Sequence, residues 1–154
     1  MSTALASATP ASRPVAGTPA RTASRAITLT GRILFSGIFL LAGPNHFQPA
    51  SIQYAAHAGV PFPGLLVPAS GVLALIGALS VAIGYRARAG AWLIVLFLVP
   101  VTLSMHAFWS VTDPMMQQMQ MAMFMKNLSI LGGALLITQT GAGPLSVDAA
   151  RRTT

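Results

Sequence analysis

Few side chains in this sequence could do chemistry, and they gather at the edges of apolar stretches. Lys126 and Asn127 stand side by side within one stretch, His106 closes another, His46 closes a third, and Asp113 is one of only two carboxylates in the chain. A lysine ammonium or an asparagine amide can hydrogen-bond and polarise a carbonyl oxygen. An imidazole exchanges protons near neutral pH. Ionisable groups inside a membrane span are costly and usually face a cavity or a partner, which makes Lys126 a candidate site residue. Its only possible acidic neighbour is Asp113, because Asp148 falls beyond the opposite end of its stretch.

These residues can meet only if the stretches that carry them are membrane helices. Four runs, at about 29–47, 65–84, 89–108 and 119–138, each match the roughly 20 residues that cross a ~30 Å hydrocarbon core. With 54% hydrophobic and 7% charged residues, 154 residues offer too little polar surface to coat a soluble domain. The expected fold is therefore all-α, a polytopic bundle of four transmembrane helices over 29–140. Arg13, Arg21, Arg25 and Arg32 precede the first run, Arg86 and Arg88 fill the second turn, and Arg151 and Arg152 follow the fourth. The positive-inside rule then places both termini and that turn in the cytoplasm of an inner-membrane protein. His46, His106, Lys126 and Asn127 come to one depth on the other side, where the loops add His57, Asp113, Gln117, Gln118 and Gln120. Of these, His46, His106, Lys126, Asn127 and Asp113 define a candidate polar cavity.

Residues 1–28, rich in Ala, Ser, Thr, Pro and Arg, read as a disordered cytoplasmic tail, and 141–154 as a second, C-terminal tail. The net charge of +7 lies in arginines that flank spans, so anionic lipid is the expected partner and nucleic acid is not. With no cysteine, disulfides and thiolate metal sites are excluded. At 100° per residue Arg32, Ser36, Phe39, Gly43 and His46 share one stripe of the first span. Gly71, Ala74, Ala78 and Ala82 form a small-residue face on the second, and Lys126, Ser129 and Gly133 one on the fourth. Pro44 and Pro100 are expected to bend their spans.

Two readings stand for each polar residue. Lys126 either lines a site or snorkels toward the outer water, and His46 and His106 either serve it or belong to an interfacial belt with Phe47, Phe108 and Trp109. The methionines 115, 116, 119, 121, 123 and 125 either pack or offer soft ligands to monovalent copper beside histidine. His46 and His106 could ligate a haem, with no other haem, flavin or iron-sulfur motif in the chain.

Gly31-Arg32, the sequence GPNHF at 43–47, Gly59-Val60-Pro61, Gly77, Gly84, His106, the run Phe124-Met125-Lys126-Asn127-Leu128 with Gly132-Gly133, and the ending 141–148 together resemble the DoxX family over residues 29–148. That resemblance implies a four-helix inner-membrane protein, a small subunit or accessory partner of a quinone-linked membrane redox complex. In such a protein Lys126 and Asn127 would hold a quinone carbonyl and His106 or His46 would exchange protons. Many DoxX proteins carry a carboxylate early in the second span, where this chain has Ala69-Ser70-Gly71. The alternatives are a non-catalytic scaffold that docks a soluble or membrane partner, and a copper-handling protein.

Overall fold

Proline is the first residue of four helices, the position where its missing N–H costs nothing and its fixed φ suits the turn. The computed structural model describes residues 19–153, and among these every regular element is helical. Helix α1 (Pro19–Ala42) runs into a 3-10 turn at Gly43–Phe47, where Pro44 ends the α-helical ladder. Then follow α2 (Pro49–His57), α3 (Pro63–Ile83), α4 (Ala87–Met105), a 3-10 turn at Phe108–Ser110, α5 (Pro114–Thr140) and α6 (Val147–Ala150). The stretches Pro19–Phe47, Pro63–Ile83, Ala87–Ser110 and Pro114–Thr140 are long and apolar enough to cross a membrane. The chain is an all-α, multi-pass membrane protein.

The expected N-terminal tail divides. Residues 1–18, Arg13 among them, lie outside the described residues, whereas 19–28 are helical turns of α1. Once the apolar run has nucleated a helix, each added residue gains one hydrogen bond, so helix spreads back through residues 21–27, all of them exposed.

Helix α3 is the hub, with α1 on one side and α4 on the other, and α5 packs on α4. Gly71, Ala74, Ala78 and Ala82 are all buried. The core gathers Phe39 of α1, Ala74 and Ala78 of α3, Ile94, Phe97 and Leu98 of α4, and Ala134 of α5. At the α3–α4 crossing a Cβ on Gly77 would sit 2.8 Å from the Gly90 carbonyl oxygen, so only glycines let these backbones meet. Such contact matters in lipid, which gives apolar helices no hydrophobic reason to associate. The face of α5 differs by one residue from expectation. Asn127, Ala134 and Thr138 are its buried positions, while Lys126 and Ser129 are exposed.

Replacing Ala78, fully buried, by Leu is expected to lower the stability of the detergent-solubilised protein by about 1–3 kcal/mol, the usual cost of overpacking. Val72→Leu, at a position 45% exposed, should leave thermal unfolding almost unchanged. Equal losses at the two positions would show that the face is wrongly assigned.

Candidate functional site

The expected outer cluster is only partly assembled. His106, just past the end of α4, is half-buried, and its Nδ1 lies 2.8 Å from Gln120 Oε1, a bond in which the imidazole donates. Gln120 Nε2 in turn donates to Tyr54 Oη at 3.1 Å, tying α5 to α2. His46 is half-buried in the 3-10 turn, its Nδ1 3.2 Å from the Gly43 carbonyl and its ring edge-on to Phe97 at 5.5 Å. His57 is exposed and bonds back to the Gln53 carbonyl at 2.8 Å.

Lys126 stays apart from these groups. It is exposed, with Nζ 3.5 Å from Met123 Sδ one turn earlier on its own helix. Asn127 is buried, since consecutive helical residues point about 100° apart. Asp113 caps α5, its Oδ1 accepting from the Met116 N–H at 2.8 Å. Thirteen residues of helix, about 20 Å at 1.5 Å per residue, separate it from Lys126. Gln117, Gln118 and all six methionines from Met115 to Met125 are exposed, and His106 turns to Gln120 instead of to a thioether. Among the described residues no group of three or more His, Asp or Glu side chains could hold a metal ion. Phe108, Trp109 and Phe124 stack edge to face at 5.2–5.8 Å beside this cluster.

The more fully built polar site lies at the opposite end of the helices. Arg32 is only 4% exposed. Its Nη1 donates to the Ala142 carbonyl, and its Nη2 to the Leu145 carbonyl at 3.0 Å and more loosely to Ala82 at 3.4 Å. Asp148 lies where α4 begins, its carboxylate accepting from the Arg86 N–H at 2.8 Å and the Ala87 N–H at 3.2 Å. Those amides are the unsatisfied donors of a helix N-terminus, where negative charge is favoured. The Asp148 N–H donates to the Gly84 carbonyl at 2.9 Å, and Ser146 Oγ accepts from the Ala149 N–H at 3.1 Å to start α6.

Gly84 makes this arrangement possible. It ends α3 in the left-handed region at φ 70°, with Gly84 N–H bonded to Val81 and Tyr85 N–H to Ser80. A Cβ there would collide with Ser146 and approach Arg32 Nη1 to 3.0 Å and Ala142 to 3.1 Å. Within the C-terminal tail expected at 141–154, residues 141–150 are therefore docked against α1, α3 and the start of α4. In the sequence Arg32 reads both as one of the span-flanking arginines and as part of the first span's polar stripe, and Asp148 as too far from Lys126 to pair with it. An arginine inside a predicted span, on the stripe that also carries Ser36 and Phe39, was the available signal for Arg32.

Beside the docked segment opens a cleft of about 630 Å³, lined by Arg86, Arg88, Arg151 and Arg152 together with Asp148. Arg86 and Arg151 lie over the Tyr85 ring, 5.7 and 4.6 Å from its centre, and Arg88 Nη2 donates to the Gln139 carbonyl at 2.8 Å.

The SURF4 family model matches residues 67–153, which run from α3 to the end of the docked segment. The chain is 31% identical to the inner membrane protein YqjF of Escherichia coli over 122 residues, covering 78% of this chain and 88% of that protein. It is 29% identical to the inner membrane protein YphA of the same organism over 124 residues, covering 79% and 88%. Against the ER-derived vesicles protein ERV29 of Saccharomyces cerevisiae it is 38% identical over 77 residues, half of this chain but 24% of the yeast protein. No solved structure matches the chain. The resemblance to the DoxX family is thereby corrected, since the matching model is SURF4 and nothing in these comparisons indicates DoxX. Several residues that carried the resemblance have packing duties that do not discriminate between four-span proteins. Gly77 admits α4, Gly84 makes a turn, and Gly133 faces the Phe35 ring.

Proposed function

Because the chain belongs to the SURF4 family, we propose that this multi-pass protein acts as a non-catalytic docking and assembly partner in the inner membrane. The names of its two bacterial relatives support that compartment. The observation that carries the reading is the direction in which the polar groups bond. Arg32 and Asp148 bind backbone atoms and so fix the shape of a surface. At the outer end His106, Gln120 and Tyr54 bond one another, and Lys126 lies outside their group. We place the arginine-bearing end, with both termini, in the cytoplasm. Reporter fusions after Tyr85 and Arg152 should then read as inner and those after Gln53 and Met116 as outer, and a cytoplasmic signal at Met116 reverses the assignment.

A role beside a quinone-linked redox complex is the rival reading, and it requires Lys126, Asn127 and His106 to share one ligand. The two separate on purification in mild detergent. A docking protein should retain a stoichiometric protein partner, keep it in Lys126→Met, and lose it in Arg32→Met, whose surface is no longer held. Stoichiometric quinone that disappears in Lys126→Met would sink the docking reading and restore the rival.

A further inference from the structure

The cleft beside the docked segment brings four arginines together around a single carboxylate. Both oxygens of that carboxylate accept from backbone amides, those of Arg86 and Ala87, and one carboxylate leaves four arginines with a net positive charge. Three of the four guanidinium groups are held in place. Tyr85 supports Arg86 and Arg151 through its ring, and the last turn of α5 holds Arg88 through Gln139. That bond uses one of the five N–H donors of Arg88. Arg152 is exposed at the cleft wall. A planar fork of fixed donors is suited to the oxygens of a phosphate group.

The position of the cleft narrows the ligand further. It lies where α3 turns into α4 and where α5 ends, at the level of lipid headgroups. One turn deeper, Trp92 follows Arg88 by four residues on the same face of α4, and Leu136 precedes Thr140 by four on α5. Both are exposed apolar side chains. A ligand with a phosphate head and an acyl tail would meet guanidinium groups first and apolar side chains below them. We propose that this cleft is a specific site for the phosphate headgroup of an anionic phospholipid in the leaflet on the arginine-bearing side.

The test uses full-length protein in detergent, with bound lipid counted by native mass spectrometry. The probes are dioleoyl phosphatidylglycerol, dioleoyl phosphatidylcholine and sodium phosphate. Phosphatidylglycerol should be retained in preference to phosphatidylcholine and resist millimolar phosphate. Arg152→Gln, at an exposed position that does not endanger the fold, should weaken retention about fivefold, the usual worth of one arginine at an anionic membrane surface. Arg25→Gln, an equal change of charge on α1 outside the cleft, should have no effect. Equal retention of the two lipids, an unchanged Arg152→Gln variant, or an equal loss in Arg25→Gln would each overturn the site. Displacement by millimolar phosphate would overturn the lipid in favour of a free anion.

Discussion

Arg32→Met should loosen the C-terminal segment and lower the stability of the whole protein by about 2–4 kcal/mol. The arginine makes two good charge-assisted bonds, to the Ala142 and Leu145 carbonyls, and such bonds are worth about 1.5–3 kcal/mol each. Against this, its Nε is buried with no hydrogen-bond partner among the described residues, a standing cost of about 1–3 kcal/mol that the substitution removes. Methionine fills similar space and leaves the carbonyls without donors, so the balance still favours the parent. The chain has no cysteine, so a single one placed at Ala142, 4% exposed, reports the dock alone. Its maleimide labelling through local opening should quicken about tenfold for each 1.4 kcal/mol lost. Unchanged melting and labelling would mean that something other than Arg32 holds the segment.

Gly84→Ala should act on the same dock from the other side, with a loss of about 2–4 kcal/mol. A left-handed φ of 70° costs a residue with a Cβ about 1–2 kcal/mol. The new methyl group would also press on Ser146, Arg32 and Ala142, and overpacking adds about 1–3 kcal/mol. Gly132→Ala is the matched control, because nothing lies within 4 Å of a Cβ there and the helix continues through it. The double variant Arg32→Met with Gly84→Ala should lose less than the sum of the two, since a segment released once cannot be released again. Strict additivity in thermal unfolding would separate the two residues into independent roles.

The four spans were legible because nothing but a membrane explains long runs such as Leu65 to Gly84 with no charge in them. The buried faces of α1 and α3 were legible too, since Arg32, Ser36 and Phe39, or Gly71, Ala74 and Ala78, repeat at helical spacing. On α5 the polar neighbours Lys126 and Asn127 compete for attention, and the charged one marked the wrong face. Helix α2 escaped notice because nine residues of loop, PASIQYAAH, carry little apolar pattern. The docked segment was illegible for a different reason. Its order comes from Arg32 and Gly84, more than fifty residues away in sequence, and no local pattern in Gly141 to Asp148 encodes a distant partner.

That distance sets the sequence in which the protein can be finished. Arg32 is made more than a hundred residues before its hydrogen-bond acceptors Ala142 and Leu145. While the later helices are being synthesised, the first span stands in the bilayer with a guanidinium whose two better acceptors the chain has not yet produced, and an ionisable group within a span is costly until it is paired. Residues 141–145 therefore complete the pairing of a charge that entered with the first span. A chain stopped at Thr140 would hold every span and leave Arg32, among the described residues, with the Ala82 carbonyl alone, at 3.4 Å.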